Sequence, residues 1–287
     1  MYSVEEFFDH CQARQEKPWE WDFKKCYCDE ATINHTDPIT CMLKYKNSEF
    51  KERPRFNVSG KAGAKADCDK EAFPLYKALD WQENQTDIIR GEAMNTFITT
   101  FNRAIVNSSN KDEVYAEIGI DPEKQLSEQK PILYQNQNYQ QFDLVAKNFS
   151  AFERFAIMSH TFGNFTVLPH WMNTGRYLFS KDYWDITLQS LYEFLEPLNA
   201  WKRFVDIYFL HVFVNEDYTP AELWENHFSG TIQPSDEQIG EFLEKANARI
   251  EHRGKQLTKI LCSKIEKTDY AFYEEIREVK GKFSNHF

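Results

Sequence analysis

A helical period near the C-terminus constrains this chain more than any other feature. Ile239, Phe242, Leu243, Ala246, Ile250, Leu257, Ile260, Leu261 and Ile265 recur at helical spacing among mixed charges. That spacing places them on one side of a helix. Ser235, with Gln238 three residues on, forms a capping box at its start. Residues 235–287 therefore read as a long helix or helical hairpin, extending through Val279, with one apolar stripe. The rest of the chain or a second subunit has to cover that stripe.

The same logic finds helices upstream. Ser3 and Glu6 make another capping box, followed by Phe7, Phe8 and Cys11, and Pro18 stops that helix. Thr36-Asp37-Pro38 opens a helix carrying Ile39, Met42 and Leu43. Phe73 to Trp81 reads as helical. Arg90 to Phe97 reads as the start of a helix whose Phe97, Phe101, Ala104 and Ile105 keep the period. Residues 108–130 are polar and loop around a short helix, and Tyr139 to Ile157 is helical at least in part. Tyr183–Leu195 and Ala200–Val214 read as two long helices, the second apolar on nearly every side and so central to the fold. Thr219-Pro220 starts a short helix ending near His227. Gly163-Asn164 reads as a tight turn, with Phe165 to Leu168 a short strand that Pro169 ends. The fold class expected is mainly α: a single helix-rich globular domain with a small β-hairpin and a C-terminal helical extension. Residues 1–234 form the core domain, with a mobile loop near 51–69, and 235–287 form the extension.

With 24 Phe, 14 Tyr and 7 Trp in 287 residues, the chain has material for a large core. Its formal net charge of −11 argues against sequence-independent nucleic-acid binding, which relies on Lys and Arg to neutralise phosphates. The first residues show neither a basic n-region nor an apolar h-region, so no signal peptide is expected. No apolar run is long enough to span a bilayer. The cysteines lack the spacing of a disulfide framework, and reduced thiols in a cytoplasm are the expectation. Cys26, Cys28, His35 and Cys41 lie close in sequence, but not at zinc-site spacing, so no metal and no cofactor is assigned.

Two polar clusters stand out. In the first, Arg90, Glu92 and Asn95 lie before or at a helix start, where free N–H groups and the positive dipole end favour anions. The second runs from Ser159 to Arg176 and crowds His160, Asn164, Asn173 and Arg176 around an apolar strand, with Lys181 beyond. His160 is the candidate general base, Asn164 can orient a substrate, and Arg176 with Lys181 can hold a carboxylate or phosphate. The alternative is structural: capping and an ion pair for the first cluster, and a loop whose polar side chains satisfy their own backbone for the second.

The blocks His160-Thr-Phe-Gly-Asn-Phe-Thr-Val-Leu-Pro169, then Asn173, Tyr183-Trp-Asp-Ile-Thr-Leu-Gln-Ser-Leu191 and Phe204 to Tyr218 carry a family resemblance. With Arg90-Gly-Glu-Ala-Met-Asn-Thr-Phe97 upstream, they resemble the bacterial domain-of-unknown-function family numbered 6994, over roughly residues 70–228. The resemblance implies a helix-rich, soluble bacterial protein and no particular activity. Gly163, Asn164, Val167, Leu168, Asn173 and Lys181 are also similar to the second half of HNH-type nuclease domains. The upstream Asp-His-Ile-x-Pro strand of those nucleases, which supplies the base and a metal ligand, has no counterpart before His160.

Three functions are therefore carried forward. The first is a polar pocket, built where the two clusters meet, for an anionic small molecule or nucleotide. The second is a non-enzymatic interaction protein of a phage-defence or toxin–antitoxin-like system, pairing with a protein partner or its own copy through the C-terminal helices. The third is a divergent HNH-like nuclease.

Overall fold

The computed structural model describes residues 3–24, 37–46, 72–81, 89–169, 183–230 and 234–280. Its α-helices, in chain order, are α1 (Val4–Ala13), α2 (Pro38–Lys46), α3 (Phe73–Ala78), α4 (Phe97–Asn107), α5 (Lys111–Ile118), α6 (Lys130–Tyr134), α7 (Asp143–Lys147), α8 (Phe149–Met158), α9 (Trp184–Leu195), α10 (Trp201–Ile207), α11 (Asp236–Lys264) and α12 (Tyr273–Ile276). Two strands, β1 (Ile89–Ala93) and β2 (Phe165–Pro169), pair antiparallel. The protein is mainly α. Among the described residues, no helix is long and apolar enough to cross a membrane.

Both capping boxes form. The Ser3 hydroxyl accepts from the Glu6 amide and the Ser235 hydroxyl from the Gln238 amide, with the return bonds in place. From Ser235 the chain runs 29 helical residues without a break. This helix is the pillar of the molecule, because two hydrophobic clusters share it. Ile239, Phe242, Leu243, Ala246 and Ile250 belong to a larger cluster with α4, α8 and α9. Leu257, Leu261 and Cys262 belong to a second cluster with α1, α3 and the aromatic segment from Trp19 to Phe23. Of the two ways left open for covering the apolar stripe, the chain's own residues cover it.

Three local expectations are corrected. Arg90 to Ala93 is strand, and α4 starts only at Phe97. A strand depends on a partner remote in sequence, and here Phe165–Pro169 supplies it. That partner, β2, pairs with β1 in the register Glu92↔Thr166 and Arg90↔Leu168. The Ala200–Val214 helix breaks after Ile207. Phe209 takes a left-handed backbone (φ 52) there, before a short 3-10 turn at His211–Phe213. Residues 219–227 form turns rather than a helix, held by a bridge between Val214 and Pro220. The break after Ile207 has a second consequence. His211 and Asp206 would point apart on a continuous helix, but here they bond at 2.9 Å. The loop expected near 51–69 lies outside the described residues, as do Cys26, Cys28 and His35.

Candidate functional site

The strand pairing brings the described parts of the two polar clusters together. Beyond Ala93, the Met94 amide donates to the Asn164 carbonyl at 2.8 Å, continuing the ladder past the end of β1. Asn164 then closes the junction. Its Oδ1 accepts from the backbone amide of Asn95 (3.0 Å) and from Asn95 Nδ2 (2.9 Å). Its Nδ2 donates to the carbonyls of Asn95 (3.0 Å) and Ser159 (2.8 Å). An amide side chain offers two donors and two acceptor lone pairs, and all four are used. Asn164 is fully buried, and three of these bonds also spare a backbone group the cost of desolvation.

A second side chain locks the same turn from the other side. Arg253, on α11, is 0% exposed. Its Nη1 donates to the carbonyls of Gly163 and Phe165, both at 2.7 Å, its Nη2 to that of Tyr208 (2.7 Å) and its Nε to that of Phe209 (3.1 Å). The guanidinium thus ties the Phe162–Asn164 turn to the break after α10. Burial lowers its pKa to about 9, although carbonyl acceptors at four points favour the charged form. Gly163 lets the turn lie on the helix backbone, since a Cβ there would come within 2.2 Å of the Ile250 carbonyl.

His160 is buried beside this junction. Its Nδ1 lies 3.3 Å from the Ser159 hydroxyl, and its carbonyl accepts from the Phe23 amide at 3.0 Å. Next to it, Lys24 and Asp22 form an ion pair at 2.7 Å with both side chains buried, and Lys24 Nζ also donates to the Ala156 carbonyl. Glu92 is buried opposite Thr166 across the sheet. Arg90 sits in β1 opposite Leu168. The structure therefore gathers Glu92, Asn95, His160 and Asn164 at one junction, together with the backbone of Arg90. Asn173, Arg176 and Lys181 lie outside the described residues.

The junction leads directly into α4, whose cap differs from those of α1 and α11. Thr96 stands at the N-cap and makes no side-chain bond to the first turn. The amides of that turn are left without a side-chain cap, at the positive end of an 11-residue helix. Just before it, Asn95 is buried with its Oδ1 atom unpaired among the described residues.

Sequence reasoning missed a further polar site. Asp185, in the first turn of α9, and His227 are both fully buried and bond through Asp185 Oδ2 and His227 Nδ1. The Leu223 amide donates to Asp185 Oδ2 at 2.9 Å, and the Ile186 amide to Oδ1 at 2.9 Å. One weak signal existed: a lone carboxylate among Tyr183, Trp184, Ile186 and Leu188. Among the described residues, no cluster of three or more His, Cys, Asp or Glu side chains is placed to hold a metal ion. No protein-family model matches the chain, and no curated protein or solved structure matches it.

Proposed function

We propose that this is a bacterial cytoplasmic protein that binds an anionic small molecule, of the phosphate-bearing or nucleotide class, at the N-terminus of α4. The uncapped first turn of α4, set beside the buried Asn95 amide, carries this reading. Backbone amides at a helix start point outward and carry partial positive charge, which suits a phosphate or carboxylate. Within this reading Asn95 has two roles. Its Nδ2 holds Asn164, while its Oδ1 accepts from a hydroxyl or N–H group of the ligand. Asn164 has no capacity left for a ligand and acts as the scaffold.

An exposed stripe on the C-terminal helix would have favoured the interaction reading, and the buried residues of that stripe pack within the chain. A Thr96→Asp substitution tests the anion reading. A carboxylate at the N-cap satisfies the first-turn amides itself, so the free protein gains about 0.5–1 kcal/mol. The same carboxylate excludes an external anion. Thermal unfolding with and without ATP or inorganic phosphate reads both effects. Wild type should melt higher with the anion, while Thr96→Asp should melt higher without it and show no further shift. An anion-induced shift that persists in Thr96→Asp would sink the proposal.

A further inference from the structure

The Asp185–His227 pair lies outside the anion site and carries an inference of its own. Two backbone amides hold the Asp185 carboxylate, from Ile186 on Oδ1 and from Leu223 on Oδ2. The remaining bond from Oδ2 goes to His227 Nδ1. With both carboxylate oxygens receiving hydrogen bonds, the imidazole is set as the Nδ1–H tautomer, which leaves Nε2 as a basic lone pair. That nitrogen is buried and unpaired among the described residues. The ring is fixed in place, with the Trp224 ring centroid 3.6 Å away and the Tyr183 ring edge-on at 5.5 Å. Lys245, on α11, anchors the same segment through the Leu223 carbonyl. A buried acceptor without a donor costs roughly 1–3 kcal/mol, so the arrangement suits a group that arrives from outside with a proton to give.

We propose that Asp185 and His227 form a general-base dyad that takes a proton from a water molecule or a ligand hydroxyl brought to His227 Nε2. His227 is the catalytic residue and Asp185 the positioning residue. Residues 221–230 hold no helix or strand, and within the proposal His227 Nε2 is reached by local opening of this segment.

p-Nitrophenyl acetate serves as the probe. Water gives its proton to Nε2 as its oxygen bonds to the carbonyl carbon. The adduct then expels p-nitrophenolate and leaves acetic acid, which ionises to acetate, and its proton and the one on Nε2 both pass to solvent. His227→Gln should lower the wild-type rate by about 100-fold. Asp185→Asn should lower it comparably while the near-UV circular dichroism stays native, because an amide oxygen and nitrogen no longer enforce the tautomer. A rate unchanged in either folded variant overturns the proposal. If His227→Gln does not fold, diethyl pyrocarbonate treatment of the wild-type protein decides. Carbethoxylation mapped to His227 should abolish hydrolysis and hydroxylamine should restore it, whereas full modification of His227 without loss of rate refutes the dyad.

Discussion

Asn164 and His227 are both fully buried polar side chains on irregular backbone, and their hydrogen bonding separates them. Asn164 uses every donor and acceptor it has, and Arg253 seals the same turn through the Gly163 and Phe165 carbonyls. His227 uses one ring nitrogen and leaves the other unpaired among the described residues. A saturated buried group contributes to stability and specifies one fold, because nothing outside can improve on its bonding. An unsaturated one costs stability in the free protein and leaves room for a partner. The Ser159–Asn164 part of the polar run is thus a strut, and the open chemistry lies at α4's first turn and at His227.

Substitutions can break this contrast if the two regions respond alike. Arg253→Met should have the largest effect, destabilising the protein by roughly 3–5 kcal/mol in denaturant unfolding, since four buried carbonyls lose their donor. Arg253→Lys should recover little, because an ammonium lacks the planar fork that reaches carbonyls on both sides. Asn164→Asp should cost roughly 2–4 kcal/mol, as a carboxylate cannot donate to Asn95 and Ser159. Gly163→Ala should cost about 1–3 kcal/mol by pushing the turn off the Ile250 carbonyl. His227→Gln should cost only about 1 kcal/mol, the worth of one retained or weakened bond to Asp185. A loss at His227 as large as that at Asn164 would erase the distinction.

The smallest effect is expected at His252, a neighbour of Arg253 on α11 that belongs to neither region. Burial holds its imidazole below the ordinary value of 6.5. The unfolded chain therefore takes up this proton first as the pH falls, so the contribution is complete above 6.5 and is lost below it. His252→Gln should make the decline in melting temperature below pH 6.5 shallower. An unchanged slope would show that the residue does not couple to folding.

How much could be read in advance follows from the range of each interaction. The capping boxes at Ser3 and Ser235, and the periods behind α4, α9 and α11, are local and were legible residue by residue. The strand at Arg90 was not, because its partner at Leu168 is remote in sequence and the alternative, an early start to α4, is locally just as good. The break after Ile207 was hidden in an unbroken apolar run, with no Gly or Pro to mark the left-handed Phe209. The convergence of Asn95 with Asn164 was anticipated as a meeting of two clusters. Its saturation was not, since sequence spacing says nothing of how four hydrogen bonds are shared. Asp185 and His227 come from separate elements, α9 and the turns after Ala221, and neither carries a motif.

The most direct measurement is a long-range proton–nitrogen spectrum of the histidine rings in the native protein at neutral pH, with His227 assigned by its loss in His227→Gln. The account predicts a protonated Nδ1 and an unprotonated Nε2 that moves when a hydroxyl-bearing ligand enters. A protonated Nε2, in either the neutral or the charged ring, would contradict it.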